Sequence, residues 1–535
     1  MATKALDKNE SRIPFLGDKI TFITGLDPLG LQNPSSQMYS YLLPGLNNVT
    51  WHIRNYSFYC WLLSEYGKII TSSDPILQKR FIRRAEYIIS LMSVHNGIEG
   101  VSGSEYARKQ LEKDINSFDL QEGTYNNDGT TEHTYWQYGF GIFGQYYVGS
   151  LRQIGLIEEP VNEAGELIGI FRRTSRKEGI KVSGEELAKA FDKNVSDNTK
   201  SSFLNSIQDG KVSTKQLESF MRDFNITKVP FGTLEHELLI SLLIDIDEPL
   251  TINKLPTAHR KETLFHLLRF AKKNKGIDSQ YDFSRFSYKV KGTFNRKRDL
   301  CLTGWYYYQL NEYWQVACTA ILNGCLHHLE DLKGPGWMPL IEFINTCRNA
   351  VMKAIIKNKV IRKEADTLSR VSFQILPEEE ELYDEIMKAK GVERMYHGFI
   401  MLFKLYDINH TDLEGLRVYS QDRAIGDDNY DVITFFTRFS SRLEQPVDAF
   451  IYEFLLNSII NRHLFVAYNK MGSRSQSTQK FIIEEGHIRQ IGNFDPDFTS
   501  PRIRNLLRFL LELSLLDENY KPTAAGVELL STIDQ

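Results

Sequence analysis

Arg260 and His266 stand in an Arg-x5-His spacing on a segment with helical apolar periodicity, a spacing in which an imidazole can serve as acid or base beside a guanidinium. Phe265 and Leu267 flank the histidine, and the same pattern fits a partly buried structural residue. His327, His328, Glu330 and Asp331 cluster further on, but adjacent helical residues point to different faces and do not share one metal ion. Gly139, Gly141 and Gly144 match GxGxxG; no β-branched strand precedes them, and aromatics fill the gaps, so close packing explains them better than a dinucleotide. GxxxxGK[ST], HExxH and GxSxG are absent. The five cysteines form no CxxC pair, which argues against a disulfide framework and a structural zinc. No cofactor and no metal is expected.

Charge gives a stronger signal than any catalytic template. The chain has 64 basic and 68 acidic residues, net −4, so a nucleic-acid surface must be local. Between Arg260 and Arg298 twelve Lys or Arg residues face only three acids, Glu262, Asp278 and Asp282. Lys272, Lys273, Lys275, Arg296, Lys297 and Arg298 are the candidates there for phosphate contact, interleaved with Phe265, Phe270, Tyr281, Phe283, Phe286, Tyr288 and Phe294. Phe283, Phe286 and Tyr288 read as strand-like or turn-like, with some rings facing a core. Arg348, Lys353, Lys357, Lys359, Arg362 and Lys363, with no acid between 345 and 363, extend the basic character.

The elements that must position these residues are mostly helices. From 51 to 63 the aromatics are too dense for a helix with one wet face, which predicts a buried helix with Arg54 in cation–π or carbonyl contact and with Thr50 or Asn48 as its cap. Ile76 to Leu91 continues in helical spacing, with Arg80, Arg83 and Arg84 expected on the outer side. A polar loop from Asp119 to His133 marks a boundary, and 301–332 reads as one long central helix. Near the C-terminus, Thr499 or Ser500 is placed to cap a helix starting at Pro501, with Ile503, Leu506, Leu507, Leu510 and Leu513 inward and Arg502, Arg504 and Arg508 outward. Leu151 to Ile157 aligns with Leu510 to Leu516, and Gly184 to Leu187 with Gly526 to Leu529, so both stretches read as helix, wing and helix. The first wing carries Arg172, Arg173, Arg176 and Lys177, suited to a phosphate backbone.

Four stretches, LLPGLNNVTWHIRNYSFYCW (42–61), GWYYYQLNEYW (304–314), HLFVAYNK (463–470) and FTSPRIRNLLRFL (498–510), resemble uncharacterised bacterial proteins encoded in phage-defence or restriction-like loci beside ATPases or nucleases. The resemblance implies a role in defence and names no catalytic residue.

The expectation is a mainly α, multi-domain helical protein with two winged-helix-like modules carrying short β wings. Its segments are an N-terminal helical domain (1–130), a winged-helix-like module (131–200), a helical middle domain (201–440) and a C-terminal winged-helix-like domain (441–535). The expected function is a non-enzymatic nucleic-acid-binding or scaffolding subunit of a bacterial anti-phage defence complex, with a HEPN-like helical nuclease as the alternative. Expected partners are DNA, or alternatively RNA, and an ATPase or nuclease subunit. The first residues lack a signal-peptide core and no apolar run reaches bilayer length, which predicts a cytoplasmic protein without membrane contact.

Overall fold

The computed structural model describes residues 21–22, 27–70, 72–113, 115–121, 139–176, 182–244, 259–332, 337–426, 430–471 and 476–531. The protein is mainly α, and its described strands are two to four residues long. The 122–133 part of the expected boundary loop, and Lys177, lie outside the described residues. Packing follows a different division from the four sequential segments. One unit comprises 38–306 with 500–535, the other 1–37 with 307–499. The physical reason is that the C-terminal helices bury their apolar faces against elements early in the chain.

In the unit 38–306 with 500–535, helix Arg54–Ile69 is the centre: every residue from Arg54 to Tyr66 is buried. Trp61 lies against Phe191 at 5.4 Å and Phe224 at 5.3 Å, and its indole N–H donates to Asp192 at 2.9 Å. Arg54 is buried as well, with its guanidinium 4.9 Å from the Phe191 centroid and Nη1 donating to the Asn225 carbonyl at 2.8 Å. Its Nε and Nη2 meet both oxygens of Glu235 at 3.1 and 3.3 Å, and Ser57 and Asn194 donate to the same carboxylate. Such a buried pair persists only when its remaining hydrogen-bond capacity is met, which here takes four elements at once. The helix start differs from expectation: neither Thr50 nor Asn48 caps it, and the Ile53 N–H donates instead to Glu512 at 3.1 Å.

Helix Pro75–His95 holds a second buried carboxyl, Glu86. It accepts from the N–H groups of Ile142 and Phe143 at 2.9 and 2.6 Å and from the Tyr59 hydroxyl at 3.0 Å, satisfying the orphan donors of a new helical turn. Burial pushes its carboxyl up to about 8 against those hydrogen bonds. Arg83 is buried on this helix rather than outward, one turn from Glu86, because that face of the helix is enclosed.

The aligned stretches fold into two helix–hairpin–helix units that correspond bond for bond. In the first, helix Val148–Gln153 leads to strands Ile157–Glu158 and Arg172–Arg173 and then helix Gly184–Lys193; in the second, helix Ile503–Glu512 leads to a Leu516–Pro522 bridge and helix Ala524–Ser531. Gly155 and Ser514 both close the first helix at positive φ. The next N–H returns to the same carbonyl position, Leu156 to Leu151 at 2.9 Å and Leu515 to Leu510 at 2.8 Å. Thr174 and Thr523 then donate N–H to Leu156 and Leu515, and their hydroxyls to Gly155 and Ser514 at 2.7 and 2.6 Å. Each hydroxyl accepts in turn from Gly184 or Gly526, at 3.1 and 3.2 Å. A Cβ at Gly184 would lie 2.1 Å from the Leu156 oxygen, and one at Gly526 2.2 Å from the Leu515 oxygen. Both glycines are therefore required by the approach of one backbone to another.

Helix Ile503–Glu512 starts two residues later than expected, with Arg502 at φ 59° as its N-cap. Ser500 is occupied by a hydrogen bond to Gln280 at 3.0 Å rather than capping. Segment 283–288 is helical too, within Asp282–Lys289, because Phe283, Ser284, Ser287 and Tyr288 fall on one inward face.

The other unit, 1–37 with 307–499, is built on the part of helix Leu300–Asp331 from Tyr307 onward and on helix Gly391–Asn409. Gly398 lets these helices approach closely, since a Cβ there would sit 2.9 Å from the Ala317 carbonyl. A three-stranded antiparallel sheet joins Met338–Pro339, His487–Gln490 and Phe481–Glu484. Within this unit Glu312, buried, accepts from the Thr499 N–H and hydroxyl, so Thr499 also has no capping role.

Three measurements follow from this packing. Gly184→Ala and Gly526→Ala are each expected to cost about 1–3 kcal/mol in denaturant unfolding, whereas Gly67→Ala, on an open helix face, should add about 0.5–1 kcal/mol. Glu235→Ala should lose about 3–5 kcal/mol, since it strands the buried Arg54 charge; a loss below 1 kcal/mol in the same assay would show the pair to be dispensable. Glu86 has a folded pKa raised from 4.5 to about 8, so its protonated form stabilises fully below pH 4.5 and that contribution is lost as pH rises towards about 8. Glu86→Gln should then make the urea midpoint fall less steeply across this interval than it does in the parent chain.

Candidate nucleic-acid interface

The candidate cations divide according to what their heads touch. Arg172 is exposed and Arg173 half-buried on the first hairpin, and with Glu158 and Glu185 they line a cleft of about 550 Å³. Arg176 pairs with Glu186 at 3.2 Å. This site is of mixed sign, and one of its three arginines is already matched by a carboxylate.

Arg296 lies between the rings of Phe294 and Tyr306, 4.8 and 4.7 Å from their centroids, and donates to the Lys291 carbonyl. Lys297 and Arg298 beside it are exposed. Of the aromatics in the basic stretch, Phe265, Phe283 and Tyr288 are buried, Phe283 against Trp305 at 5.4 Å and Tyr288 against Tyr306 at 5.7 Å, whereas Phe270 and Phe286, 5.0 Å apart, and Tyr281 and Phe294 are half-buried. The buried rings are closed to base stacking, and the exposed cations are the larger part of what the stretch presents to solvent.

Lys272, Lys273 and Lys275 are all exposed at the end of helix His259–Asn274. Lys275 takes φ 60°, and the Gly276 N–H returns to the Ala271 carbonyl at 3.0 Å, a Schellman-type stop that turns the chain sharply. That turn abuts the second hairpin: a Cβ on Gly276 would lie 2.8 Å from the Asn519 oxygen and 3.7 Å from the Lys521 stem. Exposed Lys521 thus joins the three lysines. Asp517, itself exposed, accepts from the Asn519 and Lys521 N–H groups, both at 2.9 Å, and Glu518 and Asp278 are exposed nearby in the chain. Sequence inspection missed Lys521, because a lone lysine in an acidic turn carries no signal until the fold sets it beside the others.

Arg502 is half-buried, its guanidinium 3.9 Å from the Tyr39 centroid and donating to the Leu46 carbonyl. Arg504 is exposed and lies over Trp51 at 4.8 Å, with Arg508 over the same ring at 5.7 Å and bonded to Glu512 at 3.3 Å. Trp51, expected within a buried helix, is half-exposed and carries two arginines on its surface.

Arg260 is 1% exposed, and its nitrogens donate to the carbonyls of Pro44 at 2.8 Å, Leu243 at 3.3 Å and Leu242. Burial pulls its guanidinium down to about 10. Burial, followed by the charge of Arg269, holds the half-buried His266 below the usual imidazole range. The guanidinium is thus committed to closing the end of helix Leu234–Ile244 and the Pro44 corner. In the glycine-rich stretch, Gly144 lies inside the π-helical turn Phe143–Tyr147, where a Cβ would meet Phe140 at 2.6 Å, which explains it by packing.

No known family, characterised protein or solved structure matches this chain.

The two arginines of the last module are separable by experiment. Arg502→Ala should cost about 1–3 kcal/mol by removing a carbonyl bond and a ring stack, and Arg504→Ala should stay within about 0.5 kcal/mol of the parent in thermal unfolding. Any change in nucleic-acid affinity is therefore cleanly interpretable only for Arg504.

Proposed function

We propose that this chain is a non-enzymatic nucleic-acid-binding or scaffolding subunit of a bacterial anti-phage defence complex. The observation that carries the binding half is the convergence of Lys272, Lys273, Lys275 and Lys521 where a basic helix end meets the hairpin of the second helix–hairpin–helix unit. Lysines in this setting act as point charges on phosphates, releasing counterions without selecting a sequence. The hairpins serve in this proposal as the wings of two winged-helix-like modules, with Arg504 and Trp51 on the flank of the second. The other unit adds exposed Lys353, Lys357, Lys359, Arg362 and Lys363.

The scaffolding half rests on helix Arg462–Met471, where Phe465 and Tyr468 are 57% and 59% exposed one turn apart. Large apolar groups left in water on one helix face suit a protein contact. An ATPase or nuclease as the partner, the defence setting and a cytoplasmic location come from the resemblance of the four sequence stretches and from composition, and they stand as part of the proposal. A partner would be sought by co-purification from the native host, with loss on Phe465→Ala/Tyr468→Ala as the expected outcome.

Charge reversal of Lys272, Lys273, Lys275 and Lys521 to Glu should weaken binding of duplex DNA and of single-stranded RNA across sequences in a filter-binding titration. On duplex DNA the log–log salt slope should flatten by about 0.9 for each phosphate that is no longer neutralised. Unchanged affinity and slope would remove these lysines from the interface.

A further inference from the structure

We infer that the unit 1–37 with 307–499 contains a binding site for a planar heteroaromatic ring bearing an anionic arm. Helix Val432–Ser440, helix Val447–Glu453 and the π-helical stretch Phe454–Asn461 enclose, with Trp314 and Cys318, a cavity of about 150 Å³. A cavity of this size holds one benzene-sized ring. Phe435, Phe439, Phe450 and Phe454 supply its aromatic walls. The lining is not purely apolar, which distinguishes a recognition site from a packing defect. Trp314 is 4% exposed, and among the described residues its indole N–H has no acceptor. A buried donor without a partner is costly, and a ligand supplying an acceptor atom removes that cost. Thr434, Asn457 and Ser458 offer further polar groups at the wall, the last two on the wide π turn, a backbone form that recurs at functional sites.

The cavity does not end at its mouth. A cleft of about 380 Å³ shares Asp431, Thr434 and Arg438 with it and is lined further by Arg417, Ser420, Gln421 and Thr437. Arg442 at the cavity is paired with Glu453 at 2.6 Å, and Arg417 in the cleft with Glu414 at 3.0 Å. Arg438 is exposed, stands where cavity and cleft meet, and lies 5.9 Å from the Tyr430 centroid; no carboxylate among the described residues pairs with it. Asp431 is turned to the helix start, accepting from the Thr434 N–H at 2.7 Å. A ring in the cavity, an acceptor on Trp314 and a phosphate or carboxylate on Arg438 together answer each of these features.

The test uses the full chain with AMP and UMP as base-and-phosphate probes, nicotinate as a free heteroaromatic acid, and adenosine and ribose 5-phosphate as halves of AMP. Thermal shift and calorimetric titration should show binding by at least one of AMP, UMP and nicotinate, stabilisation rising with the logarithm of concentration, and no binding of ribose 5-phosphate. Trp314→Phe, which keeps the ring and deletes the N–H, should weaken the bound probe about tenfold. Arg438→Gln, at an exposed position that folding does not need, should reduce AMP to the affinity of adenosine if AMP is the probe that binds, and weaken UMP or nicotinate otherwise. Reversal of the four lysines of the other unit should leave this binding unchanged, which separates it from the nucleic-acid proposal. The inference is overturned if AMP, UMP and nicotinate all fail to bind, if ribose 5-phosphate binds as well as the tightest of them, or if both substitutions leave affinity unaltered.

Discussion

The Glu235 carboxylate is the constraint on which the unit 38–306 with 500–535 depends. It lies at zero exposure and holds Arg54 through two nitrogens, while Ser57 and Asn194 use its remaining lone pairs. Arg54 in turn reaches Asn225 and the Phe191 ring. The aromatic helix can be enclosed on every side because its most deeply buried charge, Arg54, is answered in full, and its other buried charge, Glu65, is paired with Lys68. Removing either partner would leave a charge where water cannot reach it, and that penalty exceeds any packing the neighbours could recover. The pair therefore selects one arrangement of helix Arg54–Ile69, helix Gly184–Lys193, Asn225 and helix Leu234–Ile244 over others that the same apolar surface would permit.

A second principle of construction is repetition. Two helix–hairpin–helix units use one network: a residue at positive φ, a threonine whose hydroxyl links two backbone groups, and a glycine pressed against a carbonyl. The units differ in what their hairpins carry. The longer first hairpin ends in arginines beside acids, whereas the tight second hairpin is short enough for the Lys275–Gly276 turn to lie against it. The same backbone thus produces a mixed cleft in one place and a lysine cluster in the other.

The fate of the cations follows from side-chain chemistry. Arg260, Arg296 and Arg502, three of the arginines in the basic segments, are drawn into rings and main-chain carbonyls, where a planar fork with five donors fits. Lys272, Lys273 and Lys275 remain in solvent, since a compact, strongly hydrated ammonium gains little from such sites. Counting both types equally along the chain overstates the arginines' contribution to any surface.

By itself the sequence determined what repeats locally. The density of aromatics at 51–63 required a buried helix, the spacing of Ile503, Leu506, Leu507 and Leu510 required an amphipathic one, and the match of 151–157 to 510–516 disclosed the duplicated unit. These are properties of residues a few positions apart. Only the tertiary structure decided which distant groups meet: Glu512 at the start of helix Arg54–Ile69, Lys521 beside Gly276, Arg260 under the Pro44 corner, and Trp314 with Phe450 around one cavity. Helix starts show why. Thr50, Asn48, Thr499 and Ser500 are all good caps by type, yet none caps the helix that follows: remote Glu312 and Gln280 hold Thr499 and Ser500, and remote Glu512 receives the Ile53 N–H at the start of the other helix. A hydrogen bond depends on distance in space, and no pattern along the chain encodes that distance until the core has closed around it.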